Sequence, residues 1–183
     1  MAKLAPVLLA FSLSLLIAGA RPASAQDSFR LGEQDIKAGL LYNFLRYTEW
    51  PRRASAHEAV IVCVYGADPF SGRLTPMSGR TVNHQAIRIR FIDAQGEIEG
   101  CSMLFLNAEE RAVWPAIRTS LTRRHVLTVS DYDGFARAGG MIEFTRTNNR
   151  VGVRVNRSAA RAADLVIEDR LLRLATIVET DRP

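Results

Sequence analysis

Histidine and cysteine are scarce in this 183-residue chain, which holds three of the first and two of the second. His57, His84 and His125 stand in unrelated segments. No H-x-x-x-H or H-E-x-x-H pair sets two ligands on one helix face, which excludes the common zinc-hydrolase layouts. No G-x-S-x-G puts a serine on a nucleophile elbow, and Ser71 and Ser130 have no base beside them in sequence. A G-x-G-x-x-G after an apolar run is missing too, and with it the signature of dinucleotide binding. Lysine is confined to Lys3 and Lys37, so the basic charge is nearly all arginine. Arg52-Arg53, Arg88, Arg90, Arg123-Arg124, Arg157 and Arg161 are scattered, with no aromatic residues alternating among them. Without that alternation a nucleic-acid platform is not expected. No repeat period, low-complexity tract or internal linker divides the chain.

What the chain does carry begins with an export signal. Lys3 opens a short basic region, Leu4–Ala20 is apolar apart from Pro6, Ser12, Ser14 and Gly19, and Ala23-Ser24-Ala25 presents small residues at cleavage spacing. A permanent anchor needs about 20 apolar residues; this run is shorter and closed by Arg21-Pro22. The expectation is a signal peptide over 1–25, a lead-in over 26–32 and one domain over 33–179, with no stable membrane insertion after cleavage. An uncleaved anchor is the competing reading.

Within the domain, Ile36, Leu40, Leu41, Phe44 and Leu45 recur at helical spacing over Glu33–Tyr47, with Pro51 as the stop. Ala59–Tyr65 is a short apolar run suited to a strand covered on both faces. Asp68-Pro69 then offers a helix cap followed by proline at the first helical position. Ala86–Ile92 reads as a strand near an edge, with Ile87, Ile89 and Phe91 facing inward. Met103–Leu106 is a buried strand, and Asn107 with Glu109-Glu110 starts a helix in which Pro115 predicts a bend or a late start. Val126–Val129 is another strand. Met141–Thr145 and Arg150–Val155 form a hairpin about an asparagine turn. Asn156 and Ser158 cap a short helix, Leu165–Ile167 is a last strand, and Asp169–Val178 closes as a helix with Leu171, Leu172, Leu174, Ala175 and Val178 inward. Alternating strands and helices imply a single α/β domain with a mostly parallel, Rossmann-like sheet flanked by helices on both faces, plus an antiparallel hairpin near 141–155.

Cys63 lies inside one predicted strand and Cys101 just before another, so they either bond across neighbouring strands or remain two small buried hydrophobes. Export to an oxidising compartment favours the bond. Asp131, Asp133 and Gly134 resemble a fragment of a calcium loop, but too few oxygen ligands accompany them. A structural loop is the preferred reading, with Gly134, Gly139 and Gly140 supplying positive φ or close approach and Phe135 pinning the loop to the sheet. Gly66-Ala67-Asp68 is a poor anion site because Asp68 would occupy it with its own carboxylate. Tyr42 and Trp50 fall off the helix stripe and mark a second packed surface, covered either by the rest of this domain or by a partner subunit.

The run Val126–Phe144, V-L-T-V-S-D-Y-D-G-F-A-R-A-G-G-M-I-E-F, resembles the YfiR-type family of bacterial periplasmic proteins. So do Leu40-Leu41-Tyr42-Asn43-Phe44 with Glu49-Trp50-Pro51, Asp68-Pro69-Phe70 and Leu171-Leu172-Arg173-Leu174-Ala175. The resemblance runs from about Ile36 to Val178. It implies a non-catalytic periplasmic regulator without cofactor or metal. Such a protein binds and restrains the exported part of an inner-membrane diguanylate cyclase or another envelope sensor. Cys63 and Cys101 match a cysteine pair found in some relatives, which implies a disulfide. The partner-facing segment matches Val151–Ala160, with Arg154, Asn156 and Ala160 as contacts. Arg154 departs from the family, where an acidic residue is common, and so reverses a charge at an expected interface. A homodimer is a further use of such a surface. The alternative function is a small-ligand binder with a crevice at the carboxyl ends of the strands, near Gly66, Asn107 and Ser130-Asp131.

Overall fold

The computed structural model describes residues 32–51, 59–122, 124–148 and 150–179. The expected signal peptide and nearly all of the lead-in lie outside the described residues. Three- and four-residue spacing folds Glu33–Arg46 into helix α1, with Leu41, Phe44 and Leu45 fully buried. The helix ends before Pro51 acts on it: Tyr47 N–H donates to the Asn43 carbonyl, and the chain leaves as the two-residue strand β1, Thr48–Glu49. Ile36, expected inside, is 37% exposed, and Lys37 is buried instead.

The chain continues as β2 (Ala59–Tyr65), β3 (Thr81–Val82), β4 (Gln85–Ile92), β5 (Met103–Leu106), helix α2 (Trp114–Ser120), β6 (Leu127–Ser130), β7 (Ile142–Thr147) and β8 (Arg150–Asn156). Helix α3 (Arg157–Ala162), β9 (Val166–Ile167), α4 (Asp169–Leu172) and β10 (Thr176–Val178) complete it. Eight strands form one sheet in the order β10-β8-β7-β6-β5-β2-β4-β3, while β1 and β9 pair separately as a small antiparallel ribbon. Only the β3–β4 and β7–β8 pairs of the large sheet are antiparallel. The fold is therefore the mixed α/β architecture expected, with its mostly parallel sheet.

The period-two alternation of β2 separates two cores. Val60, Val62 and Val64 face a larger core with Leu41, Phe44, Phe105, Phe144 and Val155. Cys63 and Tyr65 face a smaller one with Leu104, Leu106, Trp114, Ile117 and Phe135. Pro115 acts as its geometry requires. Asn107 accepts a bond from Glu109 N–H, the first turns are 3₁₀, and the α-helix starts only at Trp114, with the proline in its first turn.

Three expectations are corrected. The Asp68 carboxylate does cap, accepting from Phe70 N–H at 2.8 Å and Gly72 N–H at 2.7 Å. The capped unit is a series of turns rather than a helix, because Ser71 at φ 50° and Gly72 at φ 80° turn the chain out of the right-handed region. The carboxyl-terminal helix is only α4. The β-branched run Thr176-Ile177-Val178 then pairs in parallel with β8, which leaves Leu174 79% exposed. In β4 the inward row stops short, since Phe91 is 51% exposed and Ile92 is buried on the opposite face.

Candidate functional site

Register places a row of side chains across the sheet that changes from apolar to polar. Tyr65 lies beside Leu106, Leu106 beside Ser130, Ser130 beside Glu143, and Glu143 opposite Arg154, which neighbours Thr176. Glu143 is fully buried, and its carboxylate accepts from Gly134 N–H at 3.2 Å and Ala136 N–H at 2.9 Å and pairs with the Arg154 guanidinium. Ser130 donates to the Leu106 carbonyl at 2.8 Å and accepts from Tyr132 N–H at 3.2 Å. The acidic loop is thus held from beneath by a carboxylate that sequence reading did not single out. Its signal was a glutamate standing alone in an apolar strand, M-I-E-F.

The loop itself packs by shape. Phe135 is fully buried, with ring centroids 4.5 Å from Trp114 and 5.2 Å from Tyr132. A side chain on Gly140 would drive into the Phe135 ring. Gly134 at φ 88° and Gly139 at φ 90° adopt conformations that disfavour other residues. Burial, together with the Glu143 charge, pushes the Tyr132 phenol up, and Arg118 only partly offsets this. Trp114 and Arg118 both donate to the Ala138 carbonyl, at 3.1 and 3.2 Å.

Asp131 and Asp133 have different partners. Asp131 is bound at 3.0 Å by Lys37, which also reaches Glu33 at 2.9 Å and lies 5.8 Å from the Phe144 ring centroid. Asp133 has a side chain 98% exposed and lies 3.7 Å from Arg154. Burial pulls the Lys37 ammonium down, but its bonds to Glu33 and Asp131 outweigh that and hold it above the ordinary lysine range. The bond to Lys37 holds Glu33 below the usual carboxylate range despite some desolvation. Among the described residues no cluster of three or more His, Cys, Asp or Glu side chains is arranged to hold a metal.

Of the expected contact residues, Asn156 and Ala160 are 0% and 2% exposed, so both side chains sit inside the domain. Asn156 donates to the Ala136 carbonyl at 2.7 Å and accepts from Ala159 N–H at 2.9 Å, capping α3 and tying it to the loop. Arg154 is partly exposed, but its charge is matched internally by Glu143. The crevice of the alternative reading is lined by groups with partners inside the domain. A side chain at Gly66 would meet Glu110 at 2.8 Å, and Asn107 donates to the Ala67 carbonyl at 3.2 Å. Tyr42 and Trp50 pack on the same domain, donating to the carbonyls of Thr81 and His125 at 3.4 and 3.0 Å.

Cys63 and Cys101 are bonded, with Cα atoms 5.8 Å apart. Arg90 lies over them, 3.4 and 3.2 Å from the two sulfurs, and donates to the carbonyls of Glu97 and Glu99.

One open concavity adjoins the predicted contact segment. A cleft of about 170 Å³ lies between α3 and the β9–α4 corner, with Ala160, Leu165 and Ile167 among its apolar walls and Arg157, Arg161 and Asp169 at its sides. Val166 also lines it and is 57% exposed. An apolar recess with charged sides suits one anchoring side chain from another protein.

Fold and site together define a class: a small α/β domain whose buried polar groups hold loops in place. The chain belongs to the YfiR/HmsC-like family, whose model matches residues 34–176, more than three quarters of its length. That family regulates diguanylate cyclases and is periplasmic. No curated protein matches the chain. Among the described residues no helix is long and apolar enough to cross a membrane.

Proposed function

We propose that this protein acts in the periplasm, by contact and without turnover. It binds the exported part of an inner-membrane signalling protein, a diguanylate cyclase, and holds it in its inactive state through differential affinity for the two states. The observation that carries this reading is the cleft between α3 and β9, where Val166 is exposed and Arg157 and Arg161 stand at the sides, while Glu143, Lys37, Asn107 and Asn156 are engaged inside the domain. Family membership supports the regulatory role. Asn156 and Ala160 serve the contact indirectly, by seating α3. The expected signal peptide 1–25 accounts for delivery.

The test is a cell carrying a membrane diguanylate cyclase encoded beside this chain, in which cyclic-di-GMP is measured with and without the protein. The protein lowers the nucleotide level, and the paired changes Arg161→Glu and Val166→Asp abolish that effect at unchanged periplasmic abundance. Full restraint by the double variant would reject the cleft as the contact.

A further inference from the structure

The β9–α4 corner borders a second, wider cleft of about 540 Å³ between the end of α1, the β3–β4 hairpin and α4. Its walls include Arg46, Tyr47, Thr81, His84, Glu168 and Arg170. Two guanidinium groups and an imidazole therefore line a recess that holds one carboxylate. Among the described residues neither Arg46 nor Arg170 forms an ion pair. Arg46 stacks at 5.6 Å from the Tyr47 ring centroid and 5.9 Å from that of Tyr42, contacts that leave its in-plane N–H groups available to a ligand.

The hairpin adds an independent sign. Val82 pairs with Gln85, so Asn83 and His84 make a two-residue turn with φ of 50° and 66°. Glycine is the usual residue at the second position of such a turn, and a side chain held there is strained. Here that strain delivers an imidazole to the wall of the cleft.

The two clefts share a wall. Ile167 and Asp169 line the first, while the intervening Glu168 and the following Arg170 line the second. We propose that the second cleft binds a small soluble multivalent oxyanion, a phosphate or carboxylate compound, between Arg46 and Arg170. Its occupancy adjusts the neighbouring contact cleft through Ile167–Arg170, a consequence that rests on the function proposed above for that cleft. Guanidinium forks take phosphate and carboxylate oxygens in bidentate fashion. Coupling of the two sites is reciprocal, so an anion that weakens the partner's hold is itself weakened by the partner.

Pyrophosphate, titrated into the purified protein at ionic strength held constant with sodium chloride, tests the site by amide NMR. Saturable shifts are expected at Tyr47, His84 and Arg170, and also at Ile167 and Asp169. Arg46→Gln and Arg170→Gln each weaken binding by about tenfold or more, with unfolding midpoints in chloride equal to the wild type. Arg88→Gln, a change at an exposed arginine elsewhere, leaves the affinity as it was. Shifts that never saturate, or equal weakening by Arg88→Gln, overturn the site. Saturation without movement at Ile167 and Asp169 overturns the coupling. Tighter capture by phosphatidylglycerol vesicles than by pyrophosphate, lost in the same two variants, overturns the soluble ligand in favour of a lipid headgroup. No partner enters these readouts, so they stand or fall separately from cyclase restraint.

Discussion

Two buried charges decide how this domain responds to substitution and to pH. Lys37 joins α1 to the start of the acidic loop through Asp131, 94 positions away, and Lys37→Met leaves that carboxylate without its cation. Breaking such a pair from one side costs about 3–5 kcal/mol, seen as a lower urea midpoint. The pH dependence has two limbs. Glu33 is lowered from about 4.5, so its contribution is present above that value and is lost as pH falls through the depressed native value. Lys37 is raised from about 10.5, so its contribution is present below that value and is lost as pH rises through the elevated native value. Lys37→Met should therefore flatten the stability profile below about 4.5 and above about 10.5, with little change of shape between; a profile parallel to the wild type would contradict this. Arg154 gives the second case. It neutralises the buried Glu143, so Arg154→Glu opposes two carboxylates and should lower the urea midpoint further than Arg154→Met does. Equal midpoints for the two variants would make Arg154 a surface residue only. Neither pairing was legible in the sequence, because both partners are fixed by register and topology, not by spacing along the chain.

At the scale of elements, periodicity carried most of the fold and failed where conformation depends on a few backbone angles. Ala59–Tyr65 and Met103–Leu106 occur with the expected bounds, since a short apolar β-branched run has few other ways to be buried. Asp68-Pro69 misled because a carboxylate caps a turn as readily as a helix, and only the left-handed φ of Ser71 and Gly72 separates the two. The tail misled because L-L-R-L-A reads as helix, while the following T-I-V supplies an edge strand to β8. That correction has a measurable consequence: Leu174→Gln, at an exposed site, should shift stability by no more than about 0.5 kcal/mol. Leu171→Ala, at a buried one, should cost about 2–5 kcal/mol in chemical unfolding. A large loss for Leu174→Gln would restore the inward-facing helix. The cysteine pair belongs to this scale as well. Bonding β2 to the turn two residues before β5 closes a separation of 38 positions, worth about 4 kcal/mol in the chain-entropy model, and Cys63→Ala with Cys101→Ala should lose about that amount under oxidising conditions.

For the molecule as a whole, one sheet separates two cores, and the face toward α1 is the larger. The smaller core is completed by the disulfide, Trp114 and the Phe135 loop, so polar residues that look chemical in sequence are occupied in closing it. Ser130 was conspicuous in sequence for that reason, whereas Asp131 pairs with Lys37 and the Asp133 side chain is 98% exposed. The contact cleft was not conspicuous, because Ala160, Leu165 and Ile167 are ordinary core residues until α3 and β9 leave a gap between them. Its sides carry Arg157 and Arg161 against Asp169, an excess of positive charge that favours an acidic rim on the partner. Attraction of this kind acts mainly on the rate of association and is screened beyond about 8 Å at physiological salt. If the proposed partner is the exported part of a membrane diguanylate cyclase, its association with the purified domain should therefore slow as sodium chloride rises, with dissociation changing much less. Arg161→Glu should remove most of that salt dependence while leaving the thermal midpoint unchanged, as expected at an exposed position. Association rates indifferent to salt in both proteins would move the contact away from the arginine-lined cleft.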